Sequence, residues 1–253
     1  MSQLRVATAL AALVAALASC AGEAQNTRRP SMLETDTFKT SQGELKITFV
    51  GHGTLMFTFA GKVIHVDPVS AEADYATMPK ADLILITHEH YDHLDPAAIA
   101  AIRQPATAIV LTPKCATTVP DGIVMKNGEA RTVAGIKIEA VPAYNIVHKR
   151  PTGEPFHPRG EGNGYVLTFG DTRVYVAGDT ENVPEMKALK DIAIAFLPMN
   201  LPYTMTPAMV ADAARAFRPK VLYPYHFGKT DTSELVRLLA ADKAIEVRIR
   251  KMP

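Results

Sequence analysis

The sequence predicts an α+β/α/β architecture of two β-rich sheets, each covered by helices on its outer face. Three observations carry that expectation. Runs rich in β-branched and aromatic residues fill the first part of the chain, a strand-helix-strand-helix-strand order fills the second, and no short repeat or low-complexity segment interrupts them. With 253 residues, 47% of them hydrophobic, the chain suffices for one large domain with a substantial core and leaves little room for a second.

The elements follow in order. Residues 47–50, 55–59 and 63–66 read as strands, the last two joined by a hairpin turn at Ala60-Gly61-Lys62. The continuous apolar run 83–86 has the pattern of a strand buried on both faces, and it leads straight into His88. Asp95-Pro96 then caps a helix over 97–102, with proline at its first position. Strands at 109–111 and 136–141 flank a turn at Asn127-Gly128, and 165–169 with 173–177 form a hairpin across Gly170-Asp171. Beyond Gly178-Asp179-Thr180 come a helix over 184–190, a buried strand over 192–197, and a helix from Thr206-Pro207 to Phe217. A strand at 221–226, a helix opened by Asp231 and Glu234 and ending near Asp242, and a strand at 245–249 close the chain.

Composition narrows the function. The 27 basic and 26 acidic residues leave a formal net charge of +1, so no overall field draws the chain to nucleic acid or acidic lipid. Tryptophan is absent and aromatics are few, so no base-stacking or sugar-stacking surface is indicated and the substrate is expected to be a small molecule.

The N-terminus differs from the rest. After Arg5 the uncharged apolar run 6–17 has the length of a signal-peptide core and is too short to span a bilayer comfortably. Leu17-Ala18-Ser19-Cys20-Ala21 resembles the bacterial lipobox, which implies a signal peptide over 1–19, lipidation of Cys20, a polar tether over 20–43, and a domain over 44–253. An ordinary secretory signal would leave Cys20 incidental. On the lipobox reading the protein is exported and lipid-anchored to a membrane, facing the periplasm, since several acyl chains give stable anchoring. Cys115 is then the only other cysteine, and it reads as a small core residue at a strand end.

His88, His90, Asp92 and His93 form the pattern H-x-H-x-D-H. Imidazole and carboxylate suit zinc, manganese or iron, and a compact loop can aim two ligands at one ion and two at a second about 3.5–4 Å away. With Val50-Gly51-His52-Gly53, Val66-Asp67-Pro68, Phe156-His157-Pro158-Arg159-Gly160, Ala177-Gly178-Asp179-Thr180 and Pro224-Tyr225-His226-Phe227-Gly228, the sequence from Leu45 onward resembles the metallo-β-lactamase-fold hydrolases, in particular the branch of ascorbate-6-phosphate lactonase. The resemblance implies a four-layer αβ/βα sandwich. It also implies two divalent ions, zinc first: His88, His90 and a third histidine on one, Asp92, His93 and His226 on the other, Asp179 bridging. The third histidine is His157 or His148; the setting of His157 before a glycine-rich strand entry favours it, whereas His148 beside Lys149 and Arg150 reads as a surface residue.

His52, between glycines, is placed over the ions or in a structural hydrogen bond, and Asp67 behind a ligand histidine or as a turn cap. His65 alternates to the other face of its strand and reads as structural. Tyr144, Asn145 and Tyr203 are candidates for the substrate pocket. The resemblance implies a metal-bound hydroxide attacking a small ester, lactone or phosphodiester, with Asp92 and Asp179 holding the water or taking its proton. Aspartate at 179, where the true β-lactamases carry cysteine, disfavours antibiotic hydrolysis, and no G-x-S-x-G elbow offers a serine nucleophile. A phospholipase-D-like phosphodiesterase acting on lipid, and a metal-binding lipoprotein without turnover, are the alternatives.

Overall fold

The computed structural model describes residues 33–253, so the predicted signal peptide and Cys20 lie outside the described residues. Two seven-stranded sheets run in sequence order. The first holds β1 (Glu34–Thr40), β2 (Gly43–Gly51), β3 (Thr54–Phe59), β4 (Lys62–Val66), β5 (Leu83–Leu85), β6 (Ala108–Leu111) and β7 (Ile123–Val124). The second holds β8 (Ala130–Val133), β9 (Ile136–Ala143), β10 (Gly162–Phe169), β11 (Thr172–Val176), β12 (Ile194–Pro198), β13 (Val221–Tyr225) and β14 (Glu246–Val247). In each, the first four strands are antiparallel and the rest join in parallel, so the two halves repeat one topology.

Period-two alternation explains the layering. Leu83 and Leu85, Tyr165 and Leu167, Val174 and Val176, Ile194 and Phe196 face the core between the sheets. Their neighbours Val166, Tyr175, Ala195 and Leu197 face outward beneath α2 (Pro184–Lys187), α3 (Pro207–Phe217) and α4 (Thr232–Leu238). Ile84 and Ile86 lie beneath α1 (Pro96–Ile102) on the other side. The result is the four-layer αβ/βα sandwich.

Local chemistry sets the ends of the elements. Asp95 accepts from the backbone of Ala97 and Ala98 at 2.8 and 3.3 Å ahead of Pro96, and Thr206 accepts from Met209 at 3.1 Å ahead of Pro207. Between β3 and β4, Ala60 and Gly61 both take positive φ, 49° and 75°, as a two-residue turn matched to strand twist requires.

The structure corrects several boundaries. The tether expected over 20–43 ends earlier, because Glu34–Thr40 is β1, paired along its length with β2, and Gly43 already begins β2. Its inward face carries Glu34 and Asp36 beside Phe38, so no apolar alternation marks it. The helix over 184–190 stops at Lys187, where the chain turns through Leu189 and Asp191 takes φ 56°. The final strand shrinks to Glu246–Val247, and the short strands β7 and β8 were not anticipated.

Candidate metal centre

The polar residues of interest stand on the rim formed by the strand ends, where parallel α/β sheets place their ligands. His52 follows β2, Asp67 follows β4, His88 follows β5, Asp179 follows β11, and His226 follows β13. Three of them hold left-handed backbone, with φ of 48° at His52, 46° at Asp67 and 44° at His226. Non-glycine residues seldom adopt that region, and such strain gathers at functional sites. The N–H of His226 donates to the carbonyl of His52 at 3.0 Å and that of Asn163 to the carbonyl of Thr87 at 2.9 Å, so backbone bonds tie the two sheets together at this rim.

Two sets of ligand atoms converge there. One comprises His88, His90 and His157, the other His52, Asp92, His93 and His226; a third grouping, His88, His93 and Asp179, links them, and within each the atoms lie no more than 4.8 Å apart. Asp179 stands between them: its Oδ2 is 3.2 Å from Nε2 of His157 and 3.4 Å from Nε2 of His226, and its Oδ1 is 3.4 Å from Nε2 of His93. Nε2 of His88, His93, His157 and His226 and Oδ1 of Asp179 are buried without a hydrogen-bond partner. Buried polar atoms are ordinarily satisfied. Convergent imidazole nitrogens and carboxylate oxygens left open toward one another are what a divalent cation requires, so the residues fit bound metal.

Groups behind the ligands set their orientation. Asp67, fully buried, accepts from the backbone and hydroxyl of Thr87 at 2.8 and 2.6 Å and lies 2.8 Å from Nδ1 of His93. The Thr87 hydroxyl has given its only hydrogen to Asp67, so Nδ1 of His88, 3.0 Å from Oγ1, must be the donor there and leaves Nε2 for metal. Asn145 does the same for His157, with Oδ1 2.7 Å from Nδ1.

Electrostatics favours the same picture. Burial pushes Asp179 up, but the imidazoles of His226, His93 and His157 outweigh it and hold the carboxyl well below its usual range. Asp92 is likewise held low, with hydrogen bonds from His226 and His52 overcoming burial. Burial lowers His93, yet Asp179 and Asp67 raise it further, to about 9. In the metal-free cluster a proton on His93 thus supplies part of the positive charge that these carboxylates require, and a cation would displace it.

The other candidates separate. Nε2 of His52 is 3.2 Å from Oδ2 of Asp92, its ring centroid lies 3.6 Å from that of His226, and its Nδ1 meets the carbonyl of Pro253 at 2.9 Å. Tyr203 borders a cavity of about 690 Å³ that opens over the cluster and is also lined by Arg150, Phe156 and Asn200. Tyr144 does not reach it; its hydroxyl donates to Glu185 at 3.0 Å. Asn145 stands behind His157 rather than in the cavity. His148 stays out of the cluster, with Nδ1 2.8 Å from Oε1 of Glu181. His65 faces the outer layer, against the carbonyl of Pro79 at 3.0 Å. Sequence reasoning missed Thr87 and Glu181, whose roles arise only when distant segments meet. Thr87, immediately before the histidine cluster, was the one with a local signal.

An imidazole and carboxylate rim of this form on a four-layer αβ/βα sandwich defines a metal-dependent hydrolase of the metallo-β-lactamase type. A family model described as the beta-lactamase superfamily domain matches residues 46–226. A UPF0173 metal-dependent hydrolase of Koribacter versatilis is 33% identical over 200 residues, spanning 73% of this chain and 84% of that protein. Among solved structures, one from Parabacteroides distasonis, described as a metal-dependent hydrolase, is 54% identical with a TM-score of 0.83 and covers 87% of this chain and 100% of its own. Igni18, a metallo hydrolase from the archaeon Ignicoccus hospitalis, is 23% identical with a TM-score of 0.68, over 82% of this chain and 95% of its own, and shares the fold. The chain belongs to the UPF0173 metal-dependent hydrolases of the metallo-β-lactamase superfamily.

Proposed function

We propose that this enzyme holds two divalent ions, zinc in the first instance with manganese or iron as substitutes, and hydrolyses a small ester, lactone or phosphodiester. The observation that supports it is Asp179, one buried carboxylate reaching toward both ligand sets. His88, His90 and His157 would hold one ion, Asp92, His93 and His226 the other. When bound, such a pair supplies acidified water and polarises the oxygen of the electrophile. The chain's own part is to place and exclude. Asp92, 28% exposed at the cavity floor, is ionised and open to substrate, so it can orient a water and take its proton. His52, held between the Pro253 carbonyl and Asp92, orients that carboxylate, and the cavity admits a molecule of small-metabolite size.

A lipid phosphodiester is the second reading. It is favoured by the exposure of Ile146, Val147, Leu201 and Tyr203 on segments beside the cavity, at 49%, 64%, 42% and 45%. Such a substrate would be met through an anchored Cys20, which a Cys20→Ser variant recovered in the soluble fraction would support. The test of the main reading is a panel of lactones, esters and phosphodiesters, including long-chain ones, on metal-loaded protein lacking residues 1–20. Hydrolysis is expected and is lost in Asp92→Ala and His226→Ala together with one ion per chain. Full metal content with no turnover of any class would instead favour a non-catalytic metal-binding protein, and unchanged metal in both variants would remove the second site.

A further inference from the structure

One side-chain amide closes the back of the first ligand set. The backbone N–H of His157 donates to Oδ1 of Asn145 at 2.8 Å, so that atom must be an acceptor. Nδ2 at the other end meets two acceptors, the carbonyl of Tyr203 at 2.9 Å and Oε1 of Glu181 at 3.2 Å. With the amide fixed this way, Nδ1 of His157, 2.7 Å from Oδ1, must carry the ring proton, and Nε2 keeps its lone pair toward the cluster. All four hydrogen-bonding positions of Asn145 are used.

Glu181 is the anchor of this arrangement. It is fully buried, and among the described residues no lysine or arginine pairs with it. Its Oε2 accepts from the backbone N–H groups of Ile146 and Val147, both at 2.7 Å, and its Oε1 accepts from that of His148 at 2.7 Å. Three successive N–H groups curled about one carboxylate form an anion nest, which here is filled by the protein itself. Glu181 lies two residues after Asp179, so the strand end that delivers the bridging carboxylate also fastens the opposite loop.

We propose that Glu181 is a positioning residue of the metal centre: through Asn145 it fixes the ring orientation and tautomer of His157, and it clasps the segment 145–148 beside the cavity. The proposal rests on His157 being a ligand. In Glu181→Gln an NH₂ group replaces one acceptor oxygen and faces N–H donors, so the loop loosens and Asn145 keeps only the Tyr203 carbonyl and the His157 N–H groups to hold its amide.

The test pairs cobalt(II) titration against a competing chelator with nitrogen-15 NMR of the histidine rings in metal-free protein. Metal-free wild type is expected to show His157 protonated on Nδ1. Glu181→Gln is expected to mix its tautomers and to weaken cobalt binding about 10–100-fold, the usual effect of losing a group behind a ligand. Because Glu181 acts through Asn145, the double variant with Asn145→Ala should bind no more weakly than Asn145→Ala alone. Undiminished affinity, losses that multiply in the double variant, or a wild-type His157 protonated on Nε2 would each overturn the proposal. If Glu181→Gln does not fold, Glu181→Asp, which withdraws the carboxylate by one methylene, supplies the same comparison. Failure of wild type to take up cobalt would refute the metal-centre reading, while the ring tautomers would still decide whether the relay exists.

Discussion

At Gly53 a single hydrogen separates a working arrangement from a blocked one. A Cβ built there would sit 2.6 Å from Cε1 and 3.1 Å from Nδ1 of His93, a ring that is fully buried and pinned to Asp67. The ring has nowhere to retreat, so Gly53→Ala should tilt it off Asp67. Overpacking of this kind costs about 1–3 kcal/mol, and here it falls on a candidate ligand. Metal analysis of the purified variant should find the second ion depleted while the first remains; full occupancy of both would mean the ring tolerates the contact. His65 makes a different prediction, remote from the ions. Burial pushes its imidazole down to about 4, only partly offset by the bond to Pro79, so it stays neutral in the folded chain. The unfolded chain, with an ordinary value near 6.5, binds the proton first as pH falls. The stability it contributes is therefore full above about pH 6.5 and drains away as pH drops toward 4. Between pH 7 and 4.5 wild type should lose about 2–3 kcal/mol more unfolding free energy than His65→Gln in urea titrations. Parallel pH profiles for the two proteins would dismiss this account.

Strand β1 is the element whose existence depends most on distant chemistry. On its inward face Asp36 accepts from both Arg248 and Arg250 and from the Tyr223 hydroxyl, while Glu34 accepts from the backbone of Lys251 at 2.7 Å. The guanidinium of Arg250 also lies over the rings of Phe49 and Tyr223, at 5.5 and 5.7 Å. An edge strand of one sheet is thus fastened to the closing segment of the other. Asp36→Ala should cost about 2 kcal/mol, since it strips charged donors of their partner in a half-buried setting, and should leave metal content unchanged. Wild-type stability in chemical denaturation would show that pairing with β2 alone holds the strand. This also explains what could be read from the sequence. β2 to β5 and β9 to β13 were legible because apolar residues alternate or run continuously between two layers, whereas β1 hides its periodicity behind acids that only Arg248 and Arg250 make sense of. The histidine loop was legible because its ligands are adjacent in sequence. Asp179 and His226 could be placed because each follows an apolar strand. Glu181 could not, and Asn145 reads in the sequence as a pocket residue rather than one behind His157, because their chemistry comes from a loop folding back onto a strand end 36 residues away.

Across the whole molecule the candidate ligands come from both sheets. His88, His90, Asp92 and His93 follow strands of the first sheet, His157, Asp179 and His226 those of the second. The two halves repeat one topology, so the ends of their parallel strands meet at one rim, and ions bound there would tie the sheets together. The core between the sheets runs from Leu45 to Met252 and holds, among the described residues, 27 buried side chains that owe nothing to metal, so the fold should survive without it. Removing bound ions would leave buried carboxylates and imidazoles facing one another and forfeit the linkage between binding and folding, about 4 kcal/mol for each ion when free metal stands at a thousandfold its dissociation constant. For a domain of this size each kcal/mol moves the melting temperature by roughly 2–4 °C. Chelated protein should therefore keep its far-ultraviolet circular dichroism at 25 °C yet, with two ions lost, melt roughly 15–30 °C lower, and zinc should restore the difference. In Asp179→Ala, where the carboxylate standing between the two candidate ligand sets is gone, zinc should restore little of it. A melting temperature indifferent to chelation would mean that the rim is held by its own hydrogen bonds, and collapse of the spectrum at 25 °C would mean that the core is not sufficient.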